Sequence, residues 1–343
     1  MSDSAVIHEK TGFDIGWDYV VYGVPFPMPM CAADGRFKCI VDGYKASTAH
    51  FRTTSCPTVK TPEALRWRTK WMSLRVSALK RNRIVTKEVT SEYLLRINVD
   101  RCPVTRAMLT HRTGLPTDAS IERMNNQGGY AIGNLCVISV LANKAKGGLS
   151  FQNVLKTALS LAPGAEYKGL NQHQWGRLAC LSSYVAGPED GPVVETLPLI
   201  CLPPPGCLLN NAVQQLQFLS SGFMNPNLPA KNNARIIKAY SALKDKRVMR
   251  ALDDFVKASS FSVNEAYKKA SPPYLCRGLA EDAWEMPALY AFWTDLREKV
   301  AGRASAVVDG FGANPGVLIK APASGGIETW GLESGGHVPA CEW

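Results

Sequence analysis

One stretch decides the fold predicted for this chain, residues 102–148: CPVTRAMLTHRTGLPTDASIERMNNQGGYAIGNLCVISVLANKAKGG. Within it, Ala119–Met124 mixes apolar and polar residues as a half-buried strand does. The Asn and Gly residues that follow are typical of a tight turn. The apolar run Leu135–Ile138 predicts a second strand, and residues 139–146 predict a helix that ends at Gly147–Gly148. The stretch therefore predicts strand, loop, strand and helix in about thirty residues.

The residues in this order of elements resemble the ββα-metal finger of the HNH endonucleases. The similar pattern is S-I-E-R-x-N-N-x-x-G-Y-x-x-G-N-L-x-V-I-S-x-x-A-N-K-A-K, residues 120–146. The preceding C-P-V-T, Cys102–Thr105, is similar to the hairpin that opens the module in phage-type members. The resemblance extends over residues 90–148. It implies a metal-dependent endonuclease that hydrolyses phosphodiester bonds in nucleic acid.

The resemblance also implies roles for three residues. Glu122 would supply a carboxylate and Asn143 an amide oxygen to one divalent cation, Mg²⁺ or Mn²⁺, because hard cations take oxygen ligands. Such a cation relieves charge on the leaving oxygen of a phosphodiester. Asn134 stands where the middle Asn of the family orients the catalytic base and stiffens the loop.

One departure from the family pattern affects the mechanism. The position of the histidine that acts as general base in the family is occupied by Arg123. Arginine keeps its proton at physiological pH, so it cannot accept one from water, but it can bind a phosphate. Some relatives read S-x-D-R here. Either a metal-bound water ionises with help from Glu122, His111 or Tyr130, or the finger binds nucleic acid without cutting it.

Two further departures concern the hairpin that precedes the finger. Thr105 occupies the place of the second knuckle cysteine of zinc-bearing relatives, so we expect no structural zinc and interpret Cys136 as a packed thiol. Arg106 stands where the family has glycine, which leaves the geometry of the turn open.

The positive charge of the chain is concentrated before the finger. The formal net charge is +10, and Lys60–Arg112 holds thirteen Lys or Arg against four Asp or Glu, a balance of +9. A field of this sign beside a phosphodiester site is typical of a polyanion-binding surface, although a solvated basic helix has the same pattern. We expect DNA rather than RNA as the partner. The predicted nucleic-acid contacts are Arg66, Lys70, Arg75, Arg81, Lys144 and Lys146.

The predicted fold class is α+β, a small ββα-metal finger with a β-rich N-terminal lead-in and a C-terminal all-α domain. Alternation of apolar residues over 13–19 and the run 37–41 predict strands in a small β-rich region, 1–60. Residues 61–150 would hold the basic helices and the finger, 151–302 an all-α domain of unknown role, and 303–343 a Gly/Ala-rich, poorly ordered tail. In the all-α domain, helices are predicted from Ser150 onward and at 173–186, 207–223, 232–258 and 281–301.

Composition predicts a cytoplasmic protein. No apolar run is long enough to span a bilayer, the start MSDSAVIHEK has no signal segment, and ten scattered cysteines indicate buried thiols rather than a disulfide framework. No membrane partner is expected, and the protein partner of the helical domain is open. A structural or interaction protein is the third class of function, after the nuclease and the non-cleaving binding protein.

Overall fold

The computed structural model describes residues 3–27, 37–52, 61–225, 230–269 and 276–312. These residues combine helices with short strands, a mixed α+β composition, and the strands form two two-stranded sheets. The chain divides into two compact units. The first includes Met1–Asn98 and Asn126–Leu135, and the second includes Val99–Asn125 and Cys136–Pro322. This division differs from the predicted boundaries at 60, 150 and 302, because it runs through the segment that resembles the finger.

The first unit is built from four described helices. They are α1 (Asp3–Val21), α2 (Lys38–His50), α3 (Pro62–Lys80) and α4 (Ser91–Arg96). The last two begin directly after capping residues, since the hydroxyls of Thr61 and Thr90 accept hydrogen bonds from the amides of Ala64 and Tyr93. Such side-chain caps satisfy amides that have no partner inside the helix.

The prediction of strands near the N-terminus is wrong. Residues 13–19 lie in α1 and residues 38–41 lie in α2. The alternating apolar residues that indicated a strand also form pairs four apart, which is helical spacing. Ile15 and Tyr19 are such a pair and both are buried, whereas Phe13 is exposed. Residues 28–36 and 53–60 of the predicted β-rich region lie outside the described residues.

Helices α1 and α2 approach each other closely through glycines. A Cβ atom added at Gly16 would lie 1.9 Å from the backbone oxygen of Ile40, and one added at Gly43 would lie 2.0 Å from that of Phe13. No side chain fits at either position. The backbone contact allows Ile15, Tyr19 and Ile40 to enter one hydrophobic core, which they share with residues of α3: Met72, Val76 and Leu79.

In the second unit, β1 (Ala119–Arg123) pairs with β2 (Leu135–Ser139), and α5 (Val140–Lys146) follows directly. These bounds lie within one residue of the predicted ones. Helix α5 ends as its glycines predict: Gly147 has a φ of 51° and its amide donates to the carbonyl of Asn143 at 2.9 Å. The left-handed region is accessible to glycine at little cost.

The turn before β1 forms although Arg106 replaces glycine. The Arg106 amide donates to the carbonyl of Cys102 at 2.8 Å, and the Cys102 amide donates to that of Ala107 at 2.9 Å. Arg106 has a φ of 60°, which is unfavourable for a side chain larger than Asn. Its guanidinium forms ion pairs with Asp282 and, at 3.4 Å, with Glu281, and these interactions offset the strain.

The remainder of the second unit is mainly helical. Its other elements are α6 (Phe151–Ser160), β3 (Glu166–Tyr167), β4 (Leu170–Asn171), α7 (Gln172–Ser183), α8 (Gly191–Val194), α9 (Ala212–Ser220), α10 (Ala230–Ser241), α11 (Lys246–Lys269), α12 (Cys276–Trp284), α13 (Pro287–Val300) and α14 (Ala304–Phe311). Its aromatic core includes Phe255, Trp284 and Trp293, with ring centroids 5.7–5.9 Å apart. None of the helices in the described ranges is both long and apolar enough to cross a bilayer.

Several predicted boundaries in this region are corrected. The antiparallel pair β3–β4 interrupts the segment predicted to be entirely helical. The helix predicted at 207–223 starts at Ala212, because the Asn211 side chain caps it, and the one predicted at 232–258 is two helices with a break at 242–245. Residues 304–311 of the predicted poorly ordered tail are helical. Residues 313–343 lie outside the described part.

Because α1 and α2 are in backbone contact at Gly16, we expect a substitution by alanine there to destabilise the fold. Gly16→Ala should lower the free energy of unfolding by about 1–3 kcal/mol, the usual cost of overpacking, although alanine is favoured over glycine in a helix by about 1 kcal/mol. Gly148→Ala is the control, because in the described part of the chain no atom lies within 4 Å of a Cβ added there. Urea denaturation of both variants tests this. A Gly16→Ala variant as stable as the parent would contradict the packing.

Candidate functional site

Glu122 is held by a buried ion pair inside the second unit. The Nζ atom of Lys146, at the end of α5, donates to Glu122 Oε1 at 2.6 Å and to the carbonyl oxygen of Arg123 at 2.9 Å. Lys146 is 1% exposed and Glu122 is 6% exposed. Arg123 is buried as well. Since two charges removed from water are stable only when they are paired and hydrogen-bonded, this interaction fixes α5 against β1.

Asn143 lies one turn earlier on α5 and also contacts β1. Its Nδ2 atom donates to Ser120 Oγ at 2.6 Å and to the carbonyl of Ile121 at 3.4 Å. Residues three apart share a helix face, so Asn143 and Lys146 together cover residues 120–123 of β1. Both hydrogen bonds of the Asn143 amide use its nitrogen. Its Oδ1 atom is therefore the one that can serve as a metal ligand.

The donor set suits a hard cation in its chemistry. A carboxylate from Glu122 and an amide oxygen from Asn143 are ligands that Mg²⁺ and Mn²⁺ prefer, and phosphate oxygens of a substrate commonly complete such sites. Within the described ranges, no cluster of three or more His, Cys, Asp or Glu side chains has the arrangement of a metal centre. The proposed ligands are thus one carboxylate and one amide, and Lys146 already contacts the carboxylate.

Buried thiols lie close to the ion pair. Cys136 lies on β2 and is fully buried. Burial raises the pKa of its thiol well above the ordinary value, and the negative charge of Glu122 raises it further. Cys102 accepts hydrogen bonds through its sulfur from the amides of Thr105 at 3.4 Å and Ser139 at 3.2 Å. Cys136 is therefore a neutral, packed thiol.

Asn134 belongs to the first unit, where it closes the loop of residues 126–134. It is fully buried, its Nδ2 atom donates to the carbonyl of Gly129 at 2.9 Å, and its amide donates to that of Ala131 at 3.1 Å. In the same loop, the Tyr130 backbone exchanges hydrogen bonds with Ile84 and Thr86. These contacts give the loop a fixed backbone.

The predicted nucleic-acid contacts divide into exposed and buried side chains. Arg66 and Lys144 are exposed, and Lys70 is partly buried. Arg81 is exposed and donates to Ser77 and to the Tyr130 hydroxyl. 

Two of these predictions need correction. Arg75 is 8% exposed, forms an ion pair with Asp18 of α1 at 2.5 Å and lies over the ring of Trp71. Lys146 is occupied by Glu122. Neither cation is presented on the surface, because each compensates a carboxylate inside its own unit. Sequence spacing alone cannot separate such residues from solvent-exposed ones.

The loop that contains His111 is organised by Asp118. The Asp118 carboxylate accepts hydrogen bonds from the Thr110 hydroxyl, from the amide and hydroxyl of Thr113, and from the amide of Gly114. Burial is the largest single influence and favours the neutral acid, but the hydrogen bonds from Thr113, Thr110 and Gly114 together outweigh it and lower the pKa of Asp118 to about 2. The loop therefore depends on an ionised Asp118.

Comparisons of the chain with family models, with curated proteins and with solved structures find no match. The candidate site around Glu122 is therefore described from the contacts of its own residues alone. Sequence reasoning missed three contributors: Ser120, the Arg123 carbonyl and the ion-paired role of Lys146. The available signal was the spacing of Asn143 and Lys146, which places both side chains on one face of α5.

The Asp118 contacts predict a dependence of stability on acid. The pKa is about 2 in the folded protein and near 3.9 in an unfolded chain, so ionised Asp118 stabilises the fold fully above about pH 4 and the effect is lost as pH falls towards 2. The stability difference between the parent and Asp118→Asn, measured by urea denaturation, should shrink over this range. An equal difference at pH 6 and pH 2.5 would contradict it.

Proposed function

We propose that this protein is an HNH-type endonuclease that hydrolyses phosphodiester bonds in nucleic acid, with DNA preferred over RNA, using Mg²⁺ or Mn²⁺. The observation that carries the proposal is the anchoring of Asn143 to β1 through its nitrogen. This leaves an amide oxygen on α5 and the Glu122 carboxylate on β1 in one strand–strand–helix module, the order of elements in the family that the sequence resembles.

Each residue then has a defined task. Glu122 and Asn143 hold the cation, which when bound would neutralise charge at the scissile phosphate and lower the pKa of a bound water. Ser120 orients the Asn143 amide, as outer-shell partners orient metal ligands. Arg123 does not act as a base. Its guanidinium contributes positive charge that stabilises the phosphate oxygens. Exposed Arg66 and partly buried Lys70 attract the polyanion.

A second candidate is a nucleic-acid-binding protein that does not cleave. The Glu122–Lys146 ion pair favours it, because the carboxylate that would bind a cation is already neutralised. Arg123 at the position of the general base favours it too. A plasmid nicking assay with Mg²⁺ or Mn²⁺ against EDTA separates the two. Binding to DNA or RNA with no cleavage in any metal would overturn the nuclease and retain the binding protein.

Substitutions at Asn143 test whether its oxygen or its nitrogen matters. Asn143→Ala removes both and should lower the nicking rate about a hundredfold or more, as loss of one transition-state contact does. Asn143→Asp keeps an oxygen and loses the donor to Ser120, so it should retain most of the metal-dependent activity. If Asn143→Asp folds like the parent and is as inactive as Asn143→Ala, the residue is an anchor rather than a ligand.

Charge reversal at Arg66 and Lys70 tests the binding surface. Because each neutralised phosphate releases counterions, the double variant Arg66→Glu/Lys70→Glu should bind duplex DNA more weakly, and the slope of log affinity against log salt should fall by about one per lost contact. Fluorescence anisotropy at several salt concentrations measures the slope.

The matched control for this experiment reverses two exposed lysines of α11, Lys257 and Lys268, which pair with Asp253 and Glu265. It changes the net charge by the same amount at a different place. A salt slope that responds equally to both double variants would show that only net charge matters and that α3 has no specific role.

A further inference from the structure

The Lys146 ammonium lies where a cation would contact the Glu122 carboxylate. Its two acceptors, Glu122 Oε1 at 2.6 Å and the Arg123 carbonyl at 2.9 Å, are a carboxylate oxygen and a backbone oxygen. Both belong to the oxygen ligand types that Mg²⁺ and Mn²⁺ use. A divalent cation at Glu122 would therefore meet oxygen atoms that the ammonium already contacts.

The burial of Lys146 is unusual for its residue type. Lysines are almost never fully buried unless paired, because the charged head normally reaches water along its flexible stem. Two residues earlier on α5, Lys144 is exposed, whereas Lys146 is 1% exposed. Among the residues that the structure describes, the charge and hydrogen bonding of Glu122 and the Arg123 carbonyl offset its desolvation.

The end of α5 offers a place for the displaced ammonium. Lys146 is the last residue of the helix, and Gly147 and Gly148 follow it. A Cβ added at Gly148 would meet no atom of the described residues within 4 Å, so these residues leave the space beside the helix end open. The last carbonyls of a helix carry partial negative charge and attract cations; Lys168 already donates to the Ala145 carbonyl at 3.3 Å.

We propose that Lys146 is an internal competitor of the divalent cation: its ammonium closes the Glu122 site in the metal-free protein and leaves when Mg²⁺ or Mn²⁺ binds. This inference rests on the cation site of the proposed function. An ammonium and a divalent cation that contact the same carboxylate repel each other, so Lys146 has to move when the cation binds. The free energy of this movement reduces the favourable free energy of metal binding. The parent protein thus binds metal weakly, and cation binding is coupled to movement at the end of α5.

Direct Mn²⁺ binding, followed by the EPR signal of free Mn²⁺, tests the competition without any nuclease assay. Lys146→Met keeps the length of the side chain and removes the charge. It should bind Mn²⁺ at least about tenfold more tightly than the parent, and Mn²⁺ should raise its melting temperature more than that of the parent. In the double variant Glu122→Gln/Lys146→Met, the gain in affinity should disappear.

Lys146→Met removes the cation that pairs with the buried Glu122 carboxylate, and this change can prevent folding. Lys146→Gln then takes its place in the same comparison, because it still donates a hydrogen bond to Glu122 and carries no charge. Equal Mn²⁺ affinity in the parent and the single variant would overturn the proposal. So would a gain that persists in the double variant, since the cation would then bind elsewhere.

The nicking assay separates this inference from the proposed function. If the variants bind Mn²⁺ as expected and no protein cleaves DNA, the competition stands and the nuclease fails. If the parent cleaves DNA but its Mn²⁺ affinity equals that of the Lys146 variant, the nuclease stands and the competition fails.

Discussion

The buried ion pair between Glu122 and Lys146 is the constraint on which the candidate site depends. Two charges that are removed from water must be matched to each other, and breaking such a pair by removing one partner commonly costs about 3–5 kcal/mol. The pair thereby fixes the end of α5 against β1, and the Asn143–Ser120 hydrogen bond fixes the helix one turn earlier. Any chemistry at Glu122 has to begin from this closed arrangement.

The same principle explains why the basic residues of the chain are not equivalent. Arg75 and Lys146 carry positive charge, yet each is bound to an internal carboxylate, Asp18 and Glu122. Their charges are largely cancelled at a distance and add little to the field that a polyanion meets. Exposed cations such as Arg66 and Lys144 carry that field. Net charge alone is thus a poor guide to which arginines and lysines are presented to solvent.

The sequence predicted the parts of the fold whose signals are local. Strands β1 and β2 and helix α5 lie within one residue of their predicted bounds, because turns and helix caps depend on neighbouring residues such as Ser139 and Gly147. The N-terminal helices were missed, since residues 13, 15, 17 and 19 fit two periodicities. Gly16 and Gly43 favour the helical interpretation, because they allow the two helices to pack closely. Their role is recognisable only once both helices have been positioned against each other.

The candidate site was predicted less completely, for the same reason. Glu122 and Asn143 were predicted from the resemblance to the HNH pattern, but the occupation of Glu122 by Lys146 is a tertiary contact across 24 residues. Arg106 is a similar case: its left-handed backbone is tolerated because Glu281 and Asp282, far along the chain, pair with its guanidinium. Neither pairing has a signature in the local sequence.

Anomalous diffraction from crystals soaked in Mn²⁺ locates the cation and the Lys146 side chain in one experiment. We expect an anomalous peak in contact with the Glu122 carboxylate and Asn143 Oδ1, with the Lys146 ammonium moved away from Glu122. A Mn²⁺-soaked crystal with no peak at Glu122 and with Lys146 still bound to it would rule out a cation site at Glu122 that Lys146 closes.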